Sequence, residues 1–167
     1  INGELPTAQQ LDQFDHSIRY HTMINESLLR FFNGYGGFSQ DGREYVISSG
    51  PGLVTPTPWV NVIANAHFGS VISESGSAYT WSENAHEFRF TPWSDDPVCD
   101  GSGEAIYLRD EESGHFWSPT PLPAGGATPY VSRHGFGYSV FEHTEDGIHS
   151  ELWVYVAVDA PLKFSVL

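Results

Sequence analysis

The sequence is poor in cysteine and in basic residues. Its single cysteine, Cys99, has no partner within the chain for a disulfide, so nothing indicates a fold built for an oxidising compartment. Only 7 residues are Lys or Arg against 21 Asp and Glu, which gives a formal net charge of −14. Because nucleic acids and anionic membrane surfaces are bound mainly through cationic side chains, we expect neither as a partner.

Long hydrophobic runs are also lacking. The longest apolar stretch, Leu152 to Val158, is far shorter than the ~20 residues that cross a bilayer as a helix. The first residues lack the basic and apolar regions of a signal peptide. We therefore expect a cytoplasmic, soluble piece.

The composition favours a β-rich fold. Hydrophobic residues make up 40% of the chain, and 17 Gly and 11 Pro divide it into short segments. Strand-like runs alternate with turn clusters at Arg43–Ser48, Trp59–Ile63, Phe68–Ser73, Ala78–Trp81, Glu87–Thr91, Ala105–Arg109, His115–Ser118, Tyr138–His143 and Ile148–Val158. No helices alternate with them, so residues 33–167 are predicted to form an antiparallel β-sandwich.

Three local patterns sharpen this prediction. In the last run, Ile148, Leu152, Val154 and Val156 occupy one side of a period-2 alternation and are expected in the core. Glu111 to Gly114 is predicted as a hairpin turn in which Gly114 supplies a positive φ. Residues 119–129 contain four prolines and two glycines and are predicted as a loop.

The residue pattern of positions 1–32 differs from that of the rest of the chain. Thr7 and Gln10 have the spacing of a helix capping box, and apolar residues recur afterwards at helical steps. This segment is predicted to be a helical extension preceding the sandwich.

The sequence contains no recognisable catalytic motif. Among eight histidines there is no metalloprotease motif or tight metal-ligand spacing, and no Gly-x-Ser-x-Gly element occurs. The adjacent acids Asp95-Asp96 and Glu111-Glu112 are typical of solvated turns. We therefore expect no catalytic residue, no cofactor and no metal. One alternative stays open, an autonomous mutarotase-like aldose epimerase that uses a His and a carboxylate, for example His143 with Glu142 or Glu151.

Aromatic residues and one arginine suggest sugar binding. Sugar rings present C–H faces that stack on aromatic rings, and the five tryptophans include Trp81. In Arg133-His134-Gly135-Phe136-Gly137-Tyr138, at an expected junction of loop and strand, the guanidinium could bind sugar hydroxyls while the glycines allow close approach. An arginine that pairs with a carboxylate, and tryptophans that fill the core, are the structural alternatives.

Several short motifs follow one another along the chain: Gly34–Phe38, Gly42–Tyr45, Thr57–Val62, Tyr79–Trp81, Thr91–Trp93, Tyr107–Glu111, Trp117–Thr120 and Arg133–Tyr138. In this order they show a resemblance to glycoside hydrolase family 94. It is nearest to the branch that makes cyclic β-1,2-glucan, with cellobiose and chitobiose phosphorylases more distant.

The resemblance implies an N-terminal sandwich of the galactose-mutarotase-like supersandwich type, of which this chain would be an incomplete piece. It also implies a parent enzyme that is a glycosyltransferase or glycoside phosphorylase acting on β-glucans. The catalytic acid and inorganic phosphate would then belong to an (α/α)6 barrel beyond Leu167, and the parent could be a multi-domain inner-membrane protein. This chain would be a non-catalytic accessory domain, or a free-standing carbohydrate-binding module. Its expected partners are a β-glucan or small β-linked glucoside, the barrel and a second protomer. The carbohydrate-binding residues would be Arg133, His134, Gly135, Tyr138 and Trp81.

Overall fold

The computed structural model describes residues 36–50, 55–94, 96 and 99–167. The strands in these residues are β1 (Gly36–Phe38), β2 (Glu44–Ser49), β3 (Val60–Ala64), β4 (Phe68–Ser73), β5 (Ala78–Ser82), β6 (Leu108–Arg109), β7 (Phe116–Trp117), β8 (Tyr130–Gly135), β9 (Tyr138–Glu145), β10 (Ile148–Val156) and β11 (Lys163–Val166). The predicted helical extension, residues 1–32, lies outside the described residues.

The strands form two packed sheets and a small ribbon. The larger sheet has six strands in the order β1-β2-β8-β9-β10-β11, and the smaller has the order β3-β4-β5. Every pairing is antiparallel, including the β6–β7 ribbon. The described part of the chain contains no helix, and therefore none long and apolar enough to cross a membrane.

The hydrophobic core lies between the sheets. Ile63, Ile72 and Ala78 of the smaller sheet belong to one buried cluster with Phe141, Leu152 and Val154 of β9 and β10. Burying such side chains contributes roughly 1.5–3 kcal/mol each relative to exposure. The predicted all-β, antiparallel sandwich is confirmed.

Polar contacts between the sheets fix their relative position. The Asn61 side-chain amide on β3 donates to the carbonyl oxygens of Gly135 (3.0 Å) and Tyr138 (2.8 Å). Elsewhere Lys163 on β11 donates to Glu104 (2.6 Å) and to the Ser70 hydroxyl on β4 (2.9 Å). Burial opposes ionisation of Glu104, but Lys163 and the hydroxyl donors outweigh it and hold the pKa of that carboxyl below its ordinary value.

Strand β10 follows the predicted alternation with one exception. Leu152 and Val154 are buried, and Val156 is half-buried and packs against the core. Ile148 was expected in the core, but this is wrong, since 48% of it is exposed. It directly follows the turn at Asp146 and Gly147, at the end of the β9–β10 hairpin and outside the core cluster.

Turn chemistry explains the other outcomes. Gly114 has a φ of +75° and its N–H donates to the Asp110 carbonyl at 2.8 Å, as predicted. Residues 119–129 form no strand, also as predicted.

The strand expected at Glu87–Thr91 is wrong. The Asn84 side chain accepts the His86 and Glu87 N–H groups and closes a turn there, so only one isolated bridge, Trp81 to Arg89, remains.

Candidate functional site

The five predicted sugar-binding residues do not form one site. Arg133, Gly135 and Tyr138 lie on the outer face of the six-stranded sheet. The His134 side chain points the other way, toward the smaller sheet, because neighbouring strand residues face opposite sides. Trp81 lies on β5, in the smaller sheet. The structure thus brings together three of the five positions.

The expected loop at Arg133 is a strand. β8 runs to Gly135 and pairs with β2 and β9, so the turn consists of Phe136 and Gly137, which has a φ of +85°. The sequence of β8 does not show the alternation of apolar and polar side chains that marks a half-buried strand, because one of its buried positions is the polar Ser132. Arg133 therefore sits on a rigid, doubly paired strand.

Arg133 forms the centre of an ion-pair cluster. Its Nη1 lies 3.1 Å from both carboxylate oxygens of Glu44 on β2, and its Nη2 lies 2.7 Å from Glu142 Oε1 on β9. The Tyr138 hydroxyl donates to Glu44 at 2.7 Å. Sequence reasoning missed both carboxylates, because the register that places them beside Arg133 depends on pairing between distant strands.

The cluster is largely shielded from water. The side chains of Arg133 and Glu44 are only 23% and 14% exposed. Burial opposes the charge on Arg133, but Glu44 and Glu142 raise the pKa of its guanidinium. The hydrogen bond to Glu44 likewise raises the pKa of Tyr138. Since Arg133 Nε is buried without a hydrogen-bond partner in the described residues, the guanidinium is held mainly by carboxylates.

An aromatic surface adjoins this cluster. Tyr138 stacks on Trp153 of β10 with ring centroids 5.4 Å apart, and Arg133 Cζ lies 5.8 Å from the centroid of Trp153. Next to them Tyr155 stacks on Phe164 at 5.0 Å. The period-2 pattern that predicts Leu152, Val154 and Val156 in the core leaves Trp153 and Tyr155 on the other side of β10.

An open trough of about 610 Å³ runs along these rings, bordered by Phe136, Tyr138, Trp153 and Tyr155. We call these four residues the aromatic face. Phe136, at the hairpin tip, is 88% exposed. The other three rings are half-buried. Accessible aromatic rings beside charged acceptors and donors are the chemistry that binds sugars, which need an apolar surface for C–H groups and polar partners for hydroxyls.

His134 and Gly135 have contacts within the protein. The neutral ring of His134 accepts from the Ser139 hydroxyl (2.9 Å) and donates to the Trp59 carbonyl (3.2 Å). Burial lowers the pKa of His134 from 6.5 to about 4. A Cβ at Gly135 would lie 2.4 Å from the Tyr138 ring, so this glycine accommodates the chain's own tyrosine.

Trp81 belongs to a second aromatic cluster. Its ring centroid lies 5.5 Å from that of Tyr79, which in turn lies 4.8 Å from Trp93, and Arg89 Cζ lies 5.8 Å from the Tyr79 centroid. A Cβ at Gly69 would lie 2.3 Å from Trp81, so the indole covers the glycine of the neighbouring strand. This packing accounts for the position of Trp81 without a ligand.

The histidine–carboxylate pairs considered for an epimerase are not arranged for catalysis. His143 is buried and contacts Glu145 at 3.2 Å, with side-chain exposures of 0% and 6%. It stacks on Tyr130 at 3.6 Å. Glu142 and Glu151 are cross-strand partners on the opposite face of the sheet. His143 therefore cannot share a substrate with either of them.

A cluster of His115, Glu145 and Asp146 has ligand atoms within 4.8 Å of one another, close enough to hold a cation. Its members already have protein partners: His115 contacts Asp146 at 2.7 Å, and Glu145 accepts the Ala127 N–H at 2.9 Å and contacts His143. Through these contacts the cluster anchors the loop that precedes β8.

An antiparallel sandwich with an aromatic, charge-lined outer face fits the accessory domains of carbohydrate-active enzymes. Residues 43–167 match the family model of the glycosyl hydrolase 94 supersandwich domain. The chain therefore belongs to the glycoside hydrolase 94 family, as the supersandwich domain.

Relatives agree with this assignment. The chain is 42% identical over 136 residues to the cyclic β-(1,2)-glucan synthase NdvB of Rhizobium meliloti (strain 1021), covering 81% of this chain and 5% of that protein. It is 34% identical over 125 residues to the N,N'-diacetylchitobiose phosphorylase of Vibrio proteolyticus, covering 73% and 15%. With the solabiose phosphorylase of Paenibacillus borealis it shares 28% identity over 137 residues, covering 78% and 17%. The chain thus spans a small fraction of the length of these relatives.

Proposed function

We propose that this domain is a non-catalytic, sugar-handling part of a β-glucan synthase or phosphorylase, in which the β8–β9 hairpin and the aromatic face contact the sugar acceptor. The observation that carries this proposal is the trough bordered by Phe136, Tyr138, Trp153 and Tyr155 beside the Arg133 ion-pair cluster. The relatives, a cyclic β-(1,2)-glucan synthase and disaccharide phosphorylases, suggest the substrate class.

In this proposal the ring faces bind the sugar and the ion-pair cluster orients it. Trp153 and Tyr138 offer stacking surface, whereas the Glu142 carboxylate, 31% exposed, can accept from hydroxyl groups. Arg133 is a positioning residue, since its guanidinium fixes both carboxylates. It retains only partial exposure for direct contact with a ligand.

The catalytic acid and any inorganic phosphate belong to another part of the enzyme, an (α/α)6 barrel. Within the described residues, the buried His143–Glu145 pair is closed off from substrate. Contacts with the barrel and with a second protomer would place the exposed Phe136 hairpin at the acceptor side. A cytoplasmic location of the domain agrees with its exposed free thiol, Cys99.

Spectroscopy on the chain itself tests the binding surface. Adding sophorose should shift the NMR signals of the Trp153 indole N–H and of the Phe136 and Gly137 amides, with weak affinity because one open face buries little of the sugar. The chain should release no glucose 1-phosphate from sophorose and phosphate.

Matched variants separate binding from general effects. Trp153→Ala should abolish the shifts of the Phe136 and Gly137 amides, whereas Phe88→Ala, which removes an aromatic ring that is 64% exposed elsewhere, should leave all the shifts unchanged. Sophorose shifts that avoid the aromatic face, or that survive Trp153→Ala, would contradict the proposal.

A further inference from the structure

A second cavity lies at the other end of the larger sheet. It has a volume of about 400 Å³ and is lined by Ser49 of β2, Tyr130 of β8, Glu74, Asp100 and loop residues including Gly126. Ser49 and Tyr130 are register partners at one end of the β2–β8 pair, whereas Glu44 and Gly135 are partners at the other end. The five intervening steps along a strand span about 17 Å. The cavity is thus separate from the aromatic face.

Two carboxylates border this cavity. Glu74 is 4% exposed and accepts the Trp59 N–H at 2.7 Å and the Thr55 hydroxyl. Asp100 accepts the hydroxyls of Ser73 (2.6 Å) and Ser75, both at Oδ2. Because the donors to Asp100 reach one oxygen, its other oxygen keeps acceptor sites for a ligand.

The wall also contains a hydroxyl without a partner. Ser49 is 8% exposed, and its Oγ is buried with no hydrogen bond in the described part of the chain. Buried polar groups are normally paired, and leaving one unpaired is unfavourable. Ser49 lines the cavity, but its Oγ has almost no accessible surface, so the hydroxyl must turn about χ1 to pair with a polar ligand there.

The remaining lining determines the class of ligand. Pro58, Pro121, Leu122 and Tyr130 supply apolar surface, and none of the described lining residues is Lys, Arg or His. Anionic ligands are disfavoured because the carboxylates meet no compensating cation in this wall. Burial is the main cause that raises the pKa of Glu74, and the charge of Asp100 raises it further. This carboxyl therefore binds a proton more readily than an exposed one.

We propose that this cavity binds a neutral polyhydroxylated ring of monosaccharide size. Its volume lies within the range of about 300–1,000 Å³ typical of small-molecule sites. Hydroxyl groups of the ring would donate to Asp100 and Glu74 and pair with Ser49, while its C–H faces would pack on the proline and leucine side chains. This site is independent of the acceptor contact proposed for the aromatic face.

Titration of the chain with D-glucose, followed by NMR, tests the site. We expect saturable shifts of the Ser49, Ser75 and Gly126 amides, and little or no shift at these amides with glucose 1-phosphate, whose charge the carboxylates repel. Asp100→Asn should weaken glucose binding by at least about tenfold, since it removes a charged acceptor. Glu112→Gln, which removes one exposed charge outside the cavity, should leave binding unchanged.

Ser49→Ala gives a second test that does not depend on Asp100→Asn folding. Its hydroxyl has no partner in the described residues, so the variant should be as stable as the wild type, yet bind glucose several-fold more weakly. The proposal is overturned if glucose causes no saturable shift at the cavity amides at tens of millimolar. Equal binding of glucose 1-phosphate, or unchanged affinity in both cavity variants, would also overturn it. Sophorose shifts at Trp153 report separately on the aromatic face.

Discussion

Arg133 and His134 are neighbours in the sequence with opposite environments. Arg133 faces outward between two carboxylates, and His134 faces inward between the Ser139 hydroxyl and the Trp59 carbonyl. Sequence reasoning grouped them in one sugar-binding loop because both belong to the Gly-containing stretch Arg133–Tyr138, at an expected junction of loop and strand that resembles a family motif. They are separated because β8 is a strand paired with both β2 and β9. The sequence does not reveal this, since β2 is distant along the chain and the register between β8 and β9 cannot be read from the residues.

The buried His134 predicts a pH dependence of stability. Its folded pKa of about 4 lies below its ordinary 6.5, so the unfolded chain takes up a proton first as the pH falls. The contribution of neutral His134 is fully present above pH 6.5 and is lost between pH 6.5 and about 4. This loss corresponds to about 3 kcal/mol at most.

Urea unfolding at several pH values measures this effect. His134→Gln, whose amide can still donate toward the Trp59 carbonyl, should lose less free energy of unfolding than the wild type across that window. Other titrating groups cancel in the comparison. Parallel pH curves for the two proteins would show that His134 is not held neutral.

At the scale of elements, patterns of alternation were the reliable signal. β10 was predicted because Leu152, Val154 and Val156 recur at every second position, and β4 was predicted with its observed bounds. β8 was missed because Ser132 and His134 occupy two of its inward positions. The failed strand at Glu87–Thr91 shows that Asn84 side-chain hydrogen bonds to the backbone can override a β-prone composition.

Three substitutions on β10 test the packing of this element. Leu152→Ala should lower the free energy of unfolding by about 2–5 kcal/mol, because it leaves a cavity in the buried cluster. Ile148→Ala and Glu151→Ala should each change it by about 0.5 kcal/mol or less, since both side chains are exposed. Denaturant unfolding monitored by tryptophan fluorescence gives the values. A loss at Ile148 as large as that at Leu152 would place Ile148 in the core after all.

At the scale of the whole molecule, the family and the fold were accessible from the sequence, whereas the site was accessible only in part. The order of short Gly- and Trp-containing motifs pointed to glycoside hydrolase family 94, and residues 43–167 match its supersandwich domain. The predicted residues Arg133 and Tyr138 do lie together, but Glu44, Glu142 and Trp153, which complete their surroundings, come from three different strands. Such convergence depends on the sheet register.

Steady-state kinetics of the intact enzyme that carries this domain test the central claim most directly. If the aromatic face contacts the acceptor, Trp153→Ala should raise the acceptor KM or lower kcat in the synthetic direction by about tenfold, because a sugar–aromatic stacking contact is lost. Kinetics with the donor alone and the melting temperature should change little, and Phe88→Ala should behave as the wild type. Unchanged acceptor kinetics per folded molecule in Trp153→Ala would contradict the account and leave the aromatic face with a structural role.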